Sequence, residues 1–522
     1  MKMIMKKTYI KIFFLLFIVT LFSSCDTNLD KVNPNSVTVE NFYKNESDLT
    51  NAVNSVYAVL QDQTLVSREW FFVNDLRGDD MATGGGQLET PRYQLLIGTN
   101  DPANFVASSV WTGCYAVIHR ANVVIEKAPG VTMADDAKRK QLVGEAKFLR
   151  GWAYFELVSL WGGVPLYTEY VKDVAGAKAR ATVEEVYTSI ISNLQDAIAG
   201  LPTSYSGANV GRATQGAARM LLARVYMQRA DYANAKTQLK SIIDSKQYKL
   251  VANYVDNFQE ENEYNSESVF EVGFMDSNAA FSWGYNNGDG LGAETTVHNQ
   301  EISPVSWGNL IPSKSLIEEF ESTDVAGNTK TDPRYKDSFY EVGDNIVTGP
   351  LTLGSFNIAS SVIRGGAPKK VGWKKHTILY KNASSYYPSG INERMMRYAE
   401  VLLMMAECQN ETGESETDVL ATLNQIRDRV SVSMPHYPTV NYPTATKEAR
   451  FKAIAHEKRI ELAGEEIRNR DILRWRKQGK LSLIGGDPIS YFTANKYELL
   501  PLPQSEIDNN VNVGKANQNP GY

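Results

Sequence analysis

The sequence predicts a mainly α-helical protein, built from tetratricopeptide-like helical pairs with a large irregular loop-rich insertion in a single globular unit. Apolar residues recur at helical spacing through long segments on both sides of that insertion. In the segment 211–245, small and apolar residues occupy the spacing that lets paired helices pack closely, namely Leu222, Ala223, Tyr226, Ala235 and Leu239. Other segments match the repeat only roughly, so a simple helical bundle is the alternative.

The helices are predicted in chain order from apolar periodicity and from the residues that end them. The predicted segments are 39–61, 105–127, 141–160, 183–199, two helices within 211–245, 393–409, 417–430 and 447–476. The glycine run 84–86 and Pro91 indicate loops over 70–98, and 251–389 lacks helical periodicity. We therefore expect the helices to form the frame and the irregular third of the chain to carry ligand specificity.

One predicted helix near the C-terminus is dense in charge. Glu457, Glu461 and Glu465 recur every four residues and therefore lie on one helix face. Like charges at this spacing destabilise a helix unless cations pair with them. The same stretch supplies cations at Lys458, Arg459, Arg468, Arg470, Arg474 and Arg476. Acid–base chemistry is one interpretation, but we favour an ionic lattice that ties helices together. Gly464 is predicted to interrupt the helix, with a second helical piece ending near Gly479.

Composition limits the classes of function. The chain has 522 residues, 43% of them hydrophobic and 22% charged, which is enough for a large core. A formal net charge of −6 favours neither nucleic acid nor an anionic membrane surface as a partner. Cys114 and Cys408 lie in helical patterns, and we expect them to be buried free thiols rather than a disulfide.

The N-terminus predicts export and lipidation. Lysines at positions 2, 6, 7 and 11 precede the apolar run 12–22, and Ser23-Ser24-Cys25 follows it. A basic region and an apolar run too short to cross a bilayer indicate a secretory signal. Cys25 resembles the acylated cysteine of a bacterial lipobox, and a plain secreted protein is the alternative. The predicted divisions are a signal peptide (1–24), a lipid tether (25–38), an N-terminal helical part (39–250), a variable ligand-binding region (251–389) and a C-terminal helical part (390–522).

Sequence motifs for catalysis and cofactor binding are incomplete. His456-Glu457 opens like the zinc helix H-E-x-x-H, but Ile460 occupies the position of the second histidine. Five histidines scattered over the chain do not predict a metal cluster. We therefore predict no cofactor, no metal ion and no catalytic residue. A carboxylate pair for glycoside cleavage stays open, because acids are abundant and their separation in space is not visible in a sequence.

Aromatic residues in irregular segments are the candidate ligand contacts. They are Trp70, Tyr93, Trp283, Tyr285 and Trp307. Flat apolar faces of sugars stack on aromatic rings, and binding residues concentrate on loops held by a rigid scaffold. The alternative is that these rings only pin their loops. The tryptophans inside helical patterns are predicted to be core residues, namely Trp111, Trp152, Trp161 and Trp475.

Blocks of sequence along nearly the whole chain occur in a specific order. After Cys25 and its acidic tether come NFYKNESDLTNAVNSVYAVL, GEAKFLRGWAYFELVSLWGGVPLY, RYAEVLLMMAE, EKRIELAGEEIRNRDILRW, LLPLPQSEI and a terminal QNPGY. In content and order these blocks resemble the SusD/RagB family, the nutrient-binding outer-membrane lipoproteins of Bacteroidetes. The likeness is weakest between about 251 and 389.

The resemblance implies one α-helical domain that lies as a lid over a TonB-dependent, SusC-like transporter. It implies a lipid anchor at Cys25 on the cell surface, and binding without catalysis, usually of oligosaccharides and sometimes of peptides. In the starch-binding relative, aromatics from the early loop and the variable region hold the glycan. The matching stretches here contain the five candidate aromatics given above. A lipoprotein glycoside hydrolase, a peptide-binding member of the family and a purely structural lid are the alternatives.

Overall fold

Helices dominate the computed structural model, which describes residues 42–83, 88–275, 295–323, 326–346, 351–352, 360–364, 367–381 and 389–522. The chain divides into two units, 1–44 and 45–522. In the described part of the first unit, the rings of Phe42 and Tyr43 meet edge to face with centroids 5.2 Å apart. Everything that follows concerns the second unit.

The described helices mostly match the predicted segments, with ends set by capping. In chain order they are α1 (Glu46–Leu60), α2 (Glu69–Asp75), α3 (Thr90–Ile97), α4 (Phe105–Lys127), α5 (Asp136–Trp161), α6 (Val183–Gly200), α7 (Gln215–Gln228), α8 (Tyr232–Asp244), α9 (His298–Ile302), α10 (Lys314–Glu318), α11 (Arg334–Ser338), α12 (Tyr398–Glu411), α13 (Glu416–Arg427), α14 (Lys447–Glu461), α15 (Arg468–Lys477) and α16 (Gln504–Asn509). Helix α1 begins at Glu46, and not at residue 39, because Asn45 and Asp48 form a capping box.

Helix pairs build the frame, as the periodicity predicts. Helix α5 packs on α4 and α6, α7 packs on α8, and α12 packs on α13 and α14. Contacts between α8 and α12 join the two halves of the chain. The apolar and small side chains at the repeat spacing, including Leu222, Ala235 and Leu239, are buried between the paired helices. The prediction of a mainly α-helical protein with tetratricopeptide-like pairs is confirmed.

The prediction of loops over 70–98 is wrong in part, because α2 and α3 lie in this segment. Every residue of α2 is buried, so its sequence has no polar face to give a helical period. In α3, Pro91 stands in the first turn, where proline is tolerated. Gly98 ends α3 with a left-handed backbone (φ +68°). The residues that suggest a loop therefore delimit a helix.

The predicted helix 393–409 also needs correction. Its first residues form strand β11 (Glu393–Arg397), and α12 begins only at Tyr398. Strand β11 pairs antiparallel with β2 (Ser268–Val272), which lies far away in sequence. All residues of β11 are buried, so the strand shows neither a helical nor an alternating polar pattern.

The remaining strands are short and pair antiparallel. They are β1 (Met81–Ala82), β3 (Ile311–Pro312), β4 (Glu321–Thr323), β5 (Thr329–Thr331), β6 (Phe339–Glu341), β7 (Asn345–Ile346), β8 (Leu351–Thr352), β9 (Ser360–Arg364) and β10 (Ala367–Trp373). The pairings are β1 with β3, β4 with β5, β7 with β8, and β6 and β9 on either side of β10. The variable region thus contributes small sheets to a helical frame.

The charged stretch in α14 is an ionic lattice, as favoured above. Glu461 is fully buried, and its carboxylate lies 2.6 Å from Arg397, 2.7 Å from Arg429 and 2.8 Å from Arg334. Glu267 pairs with both Arg397 (2.7 Å) and Arg429 (2.6 Å). Because these charges are paired and closed off from solvent, they hold elements together and are not open to a substrate.

Glu465 lies beyond the end of α14, so the prediction that Glu457, Glu461 and Glu465 share one helix face is wrong for Glu465. The cations that pair with these glutamates come from distant segments and not from the same stretch. Glu457 lies 2.8 Å from Arg427, and Glu465 lies 2.8 Å from Lys375 and 2.6 Å from Arg397. The local cations pair with other acids, namely Lys458 and Arg474 with Asp471, Arg459 and Arg468 with Asp79, Arg470 with Glu156, and Arg476 with Asp487. The lattice therefore crosslinks the whole unit.

The core tryptophans and the cysteines lie where the sequence predicts. Trp111, Trp152, Trp161 and Trp475 are at most 4% exposed. Both cysteines are buried and free, and burial raises the pKa of the Cys114 thiol. Among the described helices, none has the length and apolar character that a bilayer crossing needs.

Candidate functional site

Two segments that carry candidate aromatics are joined directly in the structure. Strand β1 pairs with β3, which links the early segment to the variable region. Ser67 Oγ donates to the carbonyl of Thr295 at 3.0 Å, and the Thr296 hydroxyl donates to the carbonyl of Ser67 at 3.3 Å. Aromatics from these two parts of the chain can therefore share one surface, as the family resemblance implies.

Trp307 follows α9 on a rigid polar support. Its ring is half-buried, and its backbone N–H donates to the Gln300 carbonyl at 3.2 Å. The guanidinium carbon of Arg68 lies 6.0 Å from the ring centroid, at the outer limit of a cation–π contact. Arg68 is held by Glu301 at 2.6 Å, and Glu301 also accepts from Asn309 Nδ2 at 2.6 Å. These contacts hold Trp307 in place, and the residue keeps part of its surface exposed.

Tyr93 lies on α3 and is 44% exposed. Its neighbour in sequence, Arg92, is buried and pairs with Glu69 at 2.5 Å. Arg68 also reaches Glu69, at 4.0 Å. The Glu69 carboxylate therefore links Arg68, which lies beside Trp307, to Arg92, which anchors α3 beside Tyr93.

Trp70 occupies a different environment. It is 3% exposed on α2, and its indole N–H donates to Glu156 Oε2 at 2.9 Å. A buried, hydrogen-bonded indole presents no face to a ligand. The sequence suggested a loop residue because α2 has no periodicity, and the structure instead places Trp70 among the core tryptophans.

The other candidates lie outside the described residues. Trp283 and Tyr285 belong to 276–294, and Cys25 precedes residue 42. The frame on either side of 276–294 is fixed, because Phe274 N donates to Asn392 Oδ1 at 2.8 Å and Thr296 forms a bridge with Ser389. The roles of Trp283, Tyr285 and Cys25 stay predictions.

Carboxylates near Trp307 are poorly suited to glycoside cleavage. Glu69 and Glu301 are both fully buried and paired with Arg68. Burial raises the pKa of Glu69 to about 7, although Arg92 and Arg68 act in the opposite direction. An acid and a nucleophile for glycosides must both reach the scissile bond, and neither of these side chains reaches solvent.

Two sizeable clefts lie away from Trp307 in the described unit. One cleft of about 730 Å³ is lined by residues of α5 and α6, including Arg150 and Asn193, together with Lys178. Another of about 670 Å³ contains the rings of Tyr187 and Phe492. Sugar-binding proteins stack rings on open aromatic faces, so the second cleft is a rival position for a ligand and supplies a control residue below.

A histidine cluster that the sequence did not predict lies beside the lattice. His298 and His376 stack with centroids 4.4 Å apart, and His298 Nδ1 lies 3.1 Å from Glu393 Oε2. Burial lowers the pKa of His376 to about 3. Ligand atoms of His298, His376 and Glu393 lie within 4.8 Å of one another, and so do those of Asp75, His298 and Glu466. No sequence spacing reveals the cluster, because folding brings distant segments together.

The helical frame with an inserted, aromatic-bearing variable region defines a class of scaffold that known proteins share. A family profile described as "SusD family" matches residues 266–522, and one described as "Starch-binding associating with outer membrane" matches 27–227. SusD-like protein P2 of Formosa agariphila is 27% identical over 98% of this chain and 99% of its own.

Solved structures share the fold. A laminarin binding SusD-like protein superposes with a TM-score of 0.70 and 26% identity, covering 92% of this chain and 100% of that one. Surface glycan-binding protein A from Bacteroides thetaiotaomicron, in complex with laminarihexaose, gives 0.71 and 23% identity over 91% and 100% of the two chains. The chain belongs to the SusD/RagB family.

Proposed function

We propose that this protein is a surface-exposed lipoprotein that binds a nutrient oligosaccharide and delivers it to a TonB-dependent, SusC-like transporter of the outer membrane. Family membership supports the proposal, as do the names of the family and of its relatives, which refer to starch, laminarin and laminarihexaose.

The observation that carries the proposal is the support of Trp307. The backbone of Trp307 is fixed by its hydrogen bond to the Gln300 carbonyl, and its ring lies beside the buried Arg68–Glu301 pair. The residue is therefore preorganised, and little conformational entropy is lost when a sugar stacks on it. Tyr93, 44% exposed on α3, supplies a further ring in the joined segment. We include Trp283 and Tyr285 in the proposed site from the sequence, and we leave out Trp70 because it is buried.

We propose binding without catalysis. Glu69 and Glu301 lie close to the support of Trp307 but are closed off and paired with arginine. A site made of aromatic rings gives weak and readily reversible capture, which suits a protein that must release its cargo to a transporter. Each stacking contact contributes on the order of 0.5–1.5 kcal/mol beyond buried area.

Anchoring is proposed from the sequence at Cys25. Acyl chains on its thiol would supply most of the membrane attachment. Cys25→Ala should therefore move the protein from the outer-membrane fraction to the soluble fraction. Gentle detergent extraction of the wild-type protein should also recover a TonB-dependent transporter with it. Recovery of the protein alone, or unchanged fractionation of the variant, would contradict this part of the proposal.

The binding proposal is tested with a glycan array that includes laminarihexaose and maltooligosaccharides, followed by product analysis and calorimetric titration of the best glycan. Trp307→Ala and Tyr93→Ala should each weaken binding about tenfold, or roughly 1.4 kcal/mol, with little change in melting temperature. Tyr187→Ala, in the rival cleft, is the matched control and should bind like wild type.

Other outcomes would contradict the proposal, and each would indicate a different function or a different site. Released shorter sugars would indicate a hydrolase. Binding to a peptide library without binding to the glycan array would indicate a peptide-binding member. Absence of binding to both would indicate a structural lid. Loss of binding only in Tyr187→Ala would move the site to the cleft that contains Phe492.

A further inference from the structure

A cluster of buried acids and histidines joins four parts of the fold. Asp75 ends α2, His298 begins α9, Glu393 begins β11, and Glu466 lies between α14 and α15. All four side chains are at most 5% exposed. Ligand atoms of Asp75, His298 and Glu466 lie within 4.8 Å of one another. A tetrahedral zinc with bonds of about 2.0–2.2 Å holds its ligand atoms about 3.3–3.6 Å apart, so small side-chain shifts would bring these three atoms onto one ion.

The carboxylates of Asp75 and Glu466 have no protein counterion within ion-pair distance among the described residues. Neither Asp75 nor Glu466 forms an ion pair there, and Asp75 Oδ2, Glu466 Oε1 and Glu393 Oε1 are buried without a hydrogen-bond partner. Nearby cations are already engaged, because Lys375 pairs with Glu465 and Arg470 pairs with Glu156. Buried carboxylates without partners are strongly unfavourable, so this cluster calls for a neutralising group.

The histidine at the centre is held as a metal ligand would be. His298 stacks between Phe71, at 4.1 Å between centroids, and His376, at 4.4 Å, which fixes the plane of its ring. Its Nδ1 lies 3.1 Å from Glu393 Oε2. When Nδ1–H donates to that carboxylate, Nε2 keeps its lone pair for a metal. Metal-binding histidines commonly donate their second ring N–H to a carboxylate in this way.

We propose that Asp75, His298 and Glu466 bind one buried divalent cation of the zinc class, with Glu393 orienting the imidazole of His298. One imidazole and two carboxylates suit Zn²⁺, whereas Ca²⁺ prefers six to eight oxygen ligands. Three protein ligands leave the fourth position of a tetrahedral zinc to a water molecule or to a second carboxylate oxygen. Because the ligands are closed off from solvent, a substrate does not reach that position, and the ion is structural. It ties α2, the variable region and the link between α14 and α15 together. The proposal does not depend on which glycan is bound.

Protons are the competing way to neutralise the cluster. Burial raises the pKa of Asp75, and neighbouring carboxylates including Glu393 add to the effect. Burial also raises the pKa of Glu466, again with Glu393 and Asp75 adding to it. If a metal ion neutralises the cluster, added zinc should be retained and should raise the melting temperature. If a shared proton neutralises it, added zinc should do neither.

The experiment uses the full-length protein, purified in detergent, stripped with a chelator, reloaded with Zn²⁺ and passed through a desalting column. Plasma mass spectrometry should find about one zinc per wild-type chain, and zinc should raise the melting temperature. Glu466→Gln and Asp75→Asn keep the shape of the side chain but remove its charge. Each variant should retain about a tenth of the wild-type zinc or less. Glu393→Gln should weaken zinc affinity about 10–100-fold through loss of the orienting bond.

Controls separate this site from adventitious binding. His436 is exposed and pairs with Asp428 at 2.6 Å, so His436→Ala removes a surface site of similar chemistry and should leave the zinc content unchanged. X-ray absorption should show nitrogen and oxygen ligands and no sulfur, which excludes the buried thiols Cys114 and Cys408.

Several results would overturn the proposal. The first is that the wild-type protein holds no zinc and that added zinc does not change its melting temperature. The second is that Ca²⁺, and not Zn²⁺, raises the melting temperature. The third is that both Glu466→Gln and Asp75→Asn retain as much zinc as the wild type. Circular dichroism confirms that each variant is folded. If one carboxylate variant does not fold, the other variant and the wild-type titration still decide the question.

Discussion

Arg397 and Glu461 are 64 residues apart in the chain, yet Arg397 Nη1 lies 2.6 Å from Glu461 Oε1 and both side chains are buried. Arg397 Nη2 also donates to the Glu461 carbonyl at 2.6 Å. Strand β11 and helix α14 are thereby joined by side-chain and backbone contacts at once. The lattice around Glu461 is the part of the fold whose loss should be most costly.

Glu461→Ala should lower the free energy of unfolding by about 3–5 kcal/mol, because it leaves Arg334, Arg397 and Arg429 buried without their shared partner. Urea unfolding followed by circular dichroism measures the change. Glu448→Ala, on the exposed first turn of the same helix, is the control and should change stability little. Glycan affinity of the folded fraction should be the same in both variants. Equal stability of the two variants would show that the lattice contributes nothing net.

Stability should fall on both sides of a maximum near pH 4.3, the pKa of a glutamate in the unfolded chain. Burial raises the pKa of Glu457, but Arg334 and Arg427 more than offset it, so the pKa is about 2. That value lies below the unfolded value near 4.3, so its contribution is present above pH 4.3 and is lost as the pH falls toward 2. Burial raises the pKa of Glu263 to about 7, above the unfolded value. The contribution of Glu263 to stability is therefore fully present below about pH 4.3 and is lost as the pH rises from there through 7.

Unfolding free energies measured in urea from pH 3 to pH 8 test this profile. Glu263→Gln mimics the protonated acid, because a glutamine oxygen can still accept from Asn392 N. It should flatten the decline on the alkaline side while keeping the decline on the acid side. A stability that keeps rising below pH 4 would contradict the assignment of Glu457.

Trp70→Phe should lower stability without changing glycan affinity. The variant keeps an aromatic ring in the core but removes the donor to Glu156 Oε2, which costs about 1–3 kcal/mol when a buried partner is left unsatisfied. Thermal unfolding and calorimetric titration are the two measurements. A folded Trp70→Phe protein with tenfold weaker binding would return Trp70 to the ligand site.

Gly464 and Gly479 form a matched pair for testing the break between α14 and α15. Both have left-handed backbones, with φ +67° and +70°, so alanine at either position should cost about 1–2 kcal/mol. A Cβ at Gly464 would lie 3.0 Å from Trp373 Cη2, whereas nothing lies within 4 Å at Gly479. Gly464→Ala should therefore be the more destabilising by about 1–3 kcal/mol. Equal melting temperatures would mean that Trp373 moves aside freely.

The sequence predicts those parts of the fold whose signal is local. Helix α4 has the predicted ends, 105 and 127, because its apolar stripe runs unbroken between them. The interruption at Gly464 is also found, because a left-handed backbone favours glycine. Helix α2 and strand β11 are missed because both are buried on all sides and lack any period.

The candidate site depends on contacts that a sequence pattern does not contain. Residue type and irregular context single out Trp307 and Tyr93, but the same criteria also select Trp70, whose burial follows from tertiary packing. The cluster around His298 is invisible for the same reason, since His298 and Glu393 are 95 residues apart. Spacing arguments work within a helix and fail between segments that meet only in the folded chain.

The lattice also limits how new ligand preferences can arise on this scaffold. Arg334 and Lys375 lie inside the variable region, yet they pair with Glu461 and Glu465 of the frame. Grafting a relative's whole segment 251–389 onto this chain would remove two counterions from buried acids unless the donor restores them. A graft limited to 276–294 keeps both. Exchange of 276–294 therefore leaves the buried acids paired, while the segments that carry Arg334 and Lys375 are inherited with the frame.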